Sequence, residues 1–116
     1  MKKNILAFAL MALIPASVYA DTKLSSKTTV ERVFTYKSAA VVQLGTAMGK
    51  NAGCTYANSG KYLALRFGEN GSKEMYSALL TAAVSGKKVT IGTKGCDNIW
   101  SGDGTMNKIY RITLEK

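Results

Sequence analysis

The residues best suited to chemistry lie in the loop that follows the second cysteine and holds the only tryptophan, Trp100. A tryptophan ring can stack on the apolar face of a sugar, while nearby amide, carboxylate and hydroxyl groups hydrogen-bond the sugar hydroxyls. The loop therefore predicts a glycan-binding site with five candidate residues: Asp97, Asn98, Trp100, Ser101 and Asp103. The alternative is that Trp100 folds back and covers the core of its own domain.

Catalysis has little support in the sequence. The chain has no histidine, and its seven acidic residues are spread along it. Asp97 and Asp103 share a loop, which is compatible with a carboxylate pair or a weak calcium site, but Asp, Asn, Gly and Ser form ordinary turns in the same way. Two cysteines without a histidine supply at most half of a tetrahedral metal site. We therefore expect no catalytic residues, no metal site and no cofactor.

Residues 1–20 have the features of a signal peptide. Lys2 and Lys3 form a positive region, an apolar stretch follows, and small residues precede a cleavage point after Ala20. An uncleaved anchor is the alternative, but the apolar stretch is short for a bilayer span. We expect Gram-negative bacterial export, a secreted or periplasmic location, and one domain over residues 21–116 without a membrane span.

The two cysteines, Cys54 and Cys96, are expected to form a structural disulfide, because exported proteins meet an oxidising environment. Closing a loop of this length stabilises a chain by roughly 3–4 kcal/mol in the chain-entropy model. A reactive thiol is the competing interpretation, and it lacks a histidine partner.

The chain is basic, with a formal net charge of +9 that becomes +7 once Lys2 and Lys3 are removed. Positive charge serves binding to nucleic acid, anionic membranes or acidic glycans, and it also serves solubility. A nucleic-acid site would interleave aromatic and basic side chains on one sheet face. Four residues offer a modest alternative basic face of this kind: Tyr62, Arg66, Lys88 and Arg111.

Residue patterns predict five strands and one helix. The strands cover residues 28–37, 39–44, 54–67, 87–92 and 108–114, and the helix covers residues 73–85. Residues 21–27 are polar and are predicted to form a loose arm. The order β-β-β-α-β-β is that of an OB-fold, a five-stranded Greek-key barrel, so we expect a mainly β fold with one helix. A split β-sandwich is the fallback.

Alternation along the strands predicts part of the core. Leu63, Leu65 and Phe67 share one face of the third strand. The first strand is ambiguous, because simple alternation puts Val30 and Val33 on opposite faces.

The predicted helix follows an N-cap at Ser72 and ends at Gly86. Its less apolar side carries Ser77, Thr81 and Ser85, which are small and uncharged. A solvated helix face usually carries more charge than this. One interpretation is that this side packs against neighbouring helices in an oligomer, and the other is that loops of the same chain cover it.

The second half of the chain resembles the B subunits of bacterial AB5 toxins, especially those of the subtilase-cytotoxin and typhoid-toxin type. The resemblance is carried by Met75-Tyr76-Ser77, by the run from Val84 to Ile91, and by Asn98-Ile99-Trp100. It covers about residues 54–116, whereas the first half lacks a recognisable sugar-pocket signature.

The resemblance implies a homo-oligomer, a pentamer in that family, that binds a glycan on a cell surface and accompanies a catalytic A subunit. Two other functions stay open. One is a polyanion- or nucleic-acid-binding OB-fold, and the other is an exported protein-interaction or inhibitor domain.

Overall fold

The computed structural model describes residues 22–116, so the predicted signal peptide at residues 1–20 lies outside the described residues. Within them the chain is mainly β with one helix, as the sequence predicts. The elements are β1 (Thr22–Leu24), β2 (Val30–Thr35), β3 (Ala39–Leu44), β4 (Tyr62–Arg66), α1 (Ser72–Ser85), β5 (Val89–Asp97) and β6 (Met106–Leu114).

Six strands form one open sheet in the order β1-β5-β6-β4-β3-β2. Neighbouring strands are antiparallel, except that β4 and β6 run parallel and meet at Ala64 and Lys108. The predicted five-stranded barrel differs from this sheet in two respects. A sixth strand is present, and the ladder is not closed, because β1 and β2 form its two edges.

The additional strand, β1, comes from the segment predicted to be a loose arm. Thr22 pairs with Lys94, and all three β1 residues are exposed. Backbone pairing rather than burial therefore holds this strand, and the sequence gives no apolar signal for it. Further along, Thr28 exchanges two backbone hydrogen bonds with Val89, at 2.9 and 2.7 Å. The segment from Thr22 to Thr28 thus runs alongside β5 at one edge of the sheet, and the chain then continues into β2 at the opposite edge.

The main hydrophobic core lies between α1 and one face of the sheet. Leu63 and Leu65 of β4 are buried in it, as predicted, together with Leu79 of α1. Phe67 packs against the same core from its margin. Replacing a fully buried leucine such as Leu79 by alanine typically costs about 2–5 kcal/mol, so the contact of α1 with the sheet is a large part of the stability.

The start of α1 differs from the prediction, and its end agrees with it. The N-cap residue is Gly71, which has a left-handed φ of 79° and no side chain that could cap the helix, so the predicted cap at Ser72 is wrong. Gly86 ends the helix with φ 74° and donates its backbone N–H to the Ala82 carbonyl. Among residues 22–116, no helix has the length and apolar character needed to cross a bilayer.

An irregularity in β2 explains why its faces are ambiguous in the sequence. The register of β2 against β3 shifts between Val30 and Arg32. The extra residue of a bulge reverses the alternation beyond it. Val30 and Val33 consequently both pack on the α1 side of the sheet, and Phe34 packs on the other side.

Candidate ligand-binding site

The sheet face opposite α1 carries a group of five aromatic side chains, which we call the aromatic face. Three of them come from β2, from β4 and from the residue just after β2. The other two come from the loop before β4 and the loop before β6. Three buried residues lie beneath them: Val41, Ala64 and Met106. The members of the aromatic face are Phe34, Tyr36, Tyr56, Tyr62 and Trp100.

Trp100 lies at the centre of the aromatic face. Its ring centroid is 5.4 Å from that of Phe34, 5.9 Å from Tyr56 and 5.5 Å from Tyr62, in edge-on or tilted arrangements. Its indole Nε1 donates a hydrogen bond to the Tyr36 hydroxyl at 2.5 Å. Such aromatic pairs contribute about 0.5–1.5 kcal/mol each beyond burial. Trp100 therefore packs on its own domain, and it stays half-buried rather than covered.

Asp97 anchors the loop that carries Trp100. Arg66 donates from Nε to Asp97 Oδ2 at 3.1 Å and from Nη2 to Oδ1 at 2.7 Å, and Nη2 also reaches the Asn98 carbonyl at 3.2 Å. This bidentate geometry is the strong form of a charged hydrogen bond. The hydrogen bonds from Arg66 lower the pKa of Asp97, although partial burial acts in the opposite direction. Asp97 is thus an ionised structural partner of Arg66 rather than an open ligand group.

The other three predicted loop residues flank Trp100 in the same loop. Asn98, Ser101 and Asp103 are exposed. The Asn98 backbone N–H donates to the Asp97 carboxylate at 2.8 Å, and the Asp103 backbone N–H donates to the Trp100 carbonyl at 3.1 Å. Their side chains remain open to solvent at the rim of the site.

The four residues of the predicted alternative basic face lie on or beside three neighbouring strands, β4, β6 and β5. Tyr62 and Arg66 lie on the aromatic side of β4. Trp100 packs against Tyr62, and Arg66 donates to the Asn98 carbonyl in the Trp100 loop. Lys88 precedes β5, and Arg111 lies on β6 opposite Gly92. Tyr62 and Arg66 thus belong with the loop that was predicted to bind a sugar, and a basic surface shared by all four residues stays a prediction.

Three members of the aromatic face are missing from the sequence prediction. Phe34 and Tyr36 alternate in the sequence, which could have indicated a shared face, but the bulge in β2 obscured which face it was. Tyr56 lies outside any strand, in a loop whose position depends on contacts far away in the chain. No local signal could have identified it.

The disulfide and a set of backbone contacts fix the position of the Tyr56 loop. Cys54 and Cys96 are bonded, as predicted. The Thr55 N–H donates to Thr105 Oγ1 at 3.0 Å, and the Thr105 N–H donates to Thr55 Oγ1 at 2.9 Å. The Tyr56 N–H also donates to the Thr105 carbonyl at 2.8 Å. The two loops that supply Tyr56 and Trp100 are therefore held to each other.

Glycine is required where these two loops meet. Gly104 has a φ of +98°, which a residue with a side chain rarely adopts. A Cβ on Gly104 would stand 2.5 Å from Thr55 Oγ1 and 3.0 Å from the Tyr56 backbone nitrogen. The close approach of the loops thus depends on the missing side chain.

The small, uncharged side of α1 lies on the surface. Ser77, Thr81 and Ser85 are all exposed, so loops of the same chain do not cover them. Thr81 Oγ1 donates to the Ser77 carbonyl at 2.9 Å within the helix. On the same helix, Val84 is 88% exposed.

A cavity of about 460 Å³ lies elsewhere, between the turn before α1 and the first turn of the helix. Its lining includes the aromatic side chains of Phe67 and Tyr76 and the charged residues Glu69 and Lys73. Nothing in the sequence predicted a site there. Within residues 22–116, no group of three His, Cys, Asp or Glu side chains is placed to hold a metal ion.

Comparison with protein-family models and with curated proteins gives no relative from which this site could be interpreted. No protein-family model matches the chain. No curated protein matches it at a significant level. The resemblance to toxin B subunits therefore stays a prediction, and the site must be interpreted from its own residues.

Proposed function

We propose that the chain is an exported, non-catalytic binding module that recognises a glycan at its aromatic face. The observation that carries this proposal is the position of Trp100, half-buried among three aromatic rings and hydrogen-bonded to Tyr36. A rigid, partly exposed aromatic ring is what stacking on a sugar needs. The Tyr36 hydroxyl and the exposed Asn98, Ser101 and Asp103 supply donors and acceptors for sugar hydroxyls.

The charges around the aromatic face favour a neutral ligand over a polyanion. Arg66, which also bonds the Asn98 carbonyl in the Trp100 loop, is paired with Asp97 at 2.7 Å. Lys108 on β6 is paired with Glu69 at 2.9 Å. Arg32, two residues before Phe34 on β2, is exposed and belongs to no ion pair within the described residues. Nucleic-acid sites keep their cations free to contact phosphates. Because Arg66 and Lys108 are both engaged by carboxylates, they are less available to phosphates, which supports a sugar as the ligand.

Assembly in the manner of the toxin B subunits is part of the proposal. The exposed, uncharged side of α1 formed by Ser77, Thr81 and Ser85 suits packing between copies, and the resemblance implies a homopentamer with a catalytic partner subunit. An OB-fold-like topology is proposed with it, because the two edge strands come from one segment and Thr28 bridges to Val89. Secretion or periplasmic location rests on the signal-peptide pattern.

A glycan array tests the proposal, with variants that separate the aromatic face from other exposed rings. Tyr36 and Tyr110 are both 43% exposed, and only Tyr36 belongs to the aromatic face. Tyr36→Ala and Trp100→Ala should each weaken glycan binding by about 30-fold, the effect of losing a central contact worth about 2 kcal/mol. Tyr110→Ala, the matched control, should bind like the parent protein.

Thermal melting of each variant separates loss of binding from loss of fold. Trp100→Phe keeps an aromatic ring and should retain more stability than Trp100→Ala. Titration with single-stranded DNA at two salt concentrations tests the rival function, because charge-driven binding falls steeply with salt and stacking on a neutral sugar does not. Salt-sensitive DNA binding without a glycan signal would establish the nucleic-acid alternative. Absence of both would point to a protein partner.

A further inference from the structure

Among the described residues, positive charge is concentrated toward the β1 edge of the sheet, whereas the strand residues of the aromatic face lie on β2 and β4. The segments 22–28, 87–95 and 109–116 contain seven cations and one acid, Glu115, a net charge of +6. The remaining described residues contain seven cations and five acids, a net charge of +2. We call the first group the basic edge, and its cations are Lys23, Lys27, Lys87, Lys88, Lys94, Arg111 and Lys116.

Strand pairing brings these three segments together. Lys94 is opposite Thr22 at one end of β1, and Thr28 is bonded to Val89 at the other end of the segment. The Glu115 N–H donates to the Lys88 carbonyl at 2.9 Å, which brings the segment after β6 to the same place. The basic edge therefore runs along β5 from Lys88 to Lys94, about 20 Å at the usual rise of a strand.

The single acid of the basic edge neutralises little of its charge. Lys27 Nζ is 3.9 Å from Glu115 Oε1, and its side chain is 68% exposed. Such an exposed pair contributes close to nothing. The other Glu115 oxygen accepts a hydrogen bond from Thr90 at 2.7 Å. Lys87 and Lys88 are exposed, and no ion pair involves either of them within the described residues.

Large apolar side chains are exposed along the same edge. Four of the six exposed large hydrophobic residues of the described chain belong to it or adjoin it: Leu24, Val84, Tyr110 and Leu114. Leu24 and Tyr110 both lie against Gly92, where an added Cβ would be 3.3 Å from the first and 3.0 Å from the second. Leu114 is paired with Val89 and is 41% exposed.

We propose that the basic edge is a docking surface for a membrane that carries anionic lipids. Lysines and exposed aliphatic side chains on one surface are the combination that peripheral membrane binding uses, since the cations attract anionic headgroups and the apolar groups enter the interface. A nucleic-acid surface would carry several aromatic rings, and the basic edge carries one, Tyr110. This surface shares no residue with the aromatic face, so the inference does not rest on the proposed glycan function.

Vesicle co-sedimentation tests the proposal with the mature exported protein. Vesicles of phosphatidylcholine alone are compared with vesicles that also contain phosphatidylglycerol, at low and high salt. The parent protein should bind only the anionic vesicles, and salt should weaken the binding. Each lysine at an anionic surface contributes about fivefold to partitioning, so the triple variant Lys27→Gln, Lys87→Gln, Lys88→Gln should bind about 100-fold more weakly.

A matched triple variant, Lys37→Gln, Lys61→Gln, Lys73→Gln, removes the same charge from elsewhere and should bind within a few-fold of the parent protein. Leu24→Ser with Tyr110→Ser should also weaken binding, whereas Leu80→Ser, at another exposed apolar position, should not. Unchanged melting temperatures confirm that the variants are folded.

Three outcomes would overturn the proposal. The two triple variants could lose binding equally, which would mean that only total charge matters. The protein could bind neutral vesicles as well as anionic ones, or no vesicles at all. Salt-sensitive binding to single-stranded DNA without vesicle binding would instead assign the basic edge to a polyanion.

Discussion

Replacing Asp97 by asparagine should release the loop that holds Trp100. The substitution keeps the shape of the side chain and removes the charge that Arg66 contacts through two nitrogens. Asparagine presents one oxygen in place of two, so at most one of these hydrogen bonds survives. The Arg66 guanidinium is then left beside a half-buried position without a counter-charge.

The size of the effect follows from the exposure of the two side chains. Hydrogen bonds that involve charged groups contribute about 1.5–3 kcal/mol, and removal of one member of a buried ion pair costs about 3–5 kcal/mol. Here 33% of the Arg66 side chain and 17% of the Asp97 side chain are exposed, so solvent screens part of the interaction. We therefore expect a coupling energy of about 1–2 kcal/mol, below the value for a buried pair.

The contribution of the pair should depend on pH in a defined direction. The pKa of Asp97 is lower in the folded chain than its ordinary value of 3.8, mainly because of the hydrogen bonds from Arg66. A carboxyl group with a lowered folded pKa adds stability above its unfolded pKa, and that stability is lost as the pH falls through the folded pKa. The difference between parent and Asp97→Asn should be complete at neutral pH and should shrink below about pH 4.

A double-mutant cycle measures the coupling directly. Arg66→Gln, Asp97→Asn and the double variant are unfolded with denaturant at neutral and at acidic pH. Trp100 is the only tryptophan, so its fluorescence reports on the loop in question. A coupling energy below about 0.3–0.5 kcal/mol at neutral pH, the usual error of additivity, would refute the argument. A coupling that persists unchanged in acid would refute the assignment of its cause.

Two further predictions concern the disulfide and the helix. Reduction, or the double variant Cys54→Ser, Cys96→Ser, should lower the free energy of unfolding by about 2–4 kcal/mol. The intact mass with and without reductant should differ by two hydrogen atoms, and free thiols at both positions in exported protein would contradict the bond. Light scattering should report a mass near five times that of the mature chain, and Thr81→Glu should reduce it to a monomer because an unpaired charge is costly in a dry interface. A parent protein that is already monomeric would contradict assembly through this side of α1.

Local patterns predicted the parts of the fold that depend on local physics. Leu63 and Leu65 are buried because a strand that faces a helix alternates regularly, and Gly86 ends α1 because a left-handed residue favours glycine. Cys54 and Cys96 pair in the structure as their predicted compartment suggested. In each case the type of the residue itself indicates the burial, backbone conformation or bond found at its position.

The remaining features depend on contacts between distant parts of the chain. β1 is held by backbone pairing to β5 and buries no side chain of its own, so its residues carry no signal. The bulge in β2 shifts Val33 onto the side of Val30, which alternation cannot predict. Trp100 was predicted as a site residue by its type, whereas Tyr56 joins it only because Thr55 and Thr105 hold two loops together.

The pairing of β1 with β5 also dictates an order of folding. Thr22 pairs with Lys94, and Thr28 pairs with Val89, so β1 has no partner until most of the chain is available for folding. β2, β3 and β4 are consecutive antiparallel neighbours and can pair earlier. During that interval the waiting segment is an open strand of the kind that pairs with the wrong chain. β1 is short and has Lys23 at its centre, and both features are the usual protection of an open strand against such pairing. The same exposed residues that gave no sequence signal for β1 therefore protect the unpaired segment against aggregation.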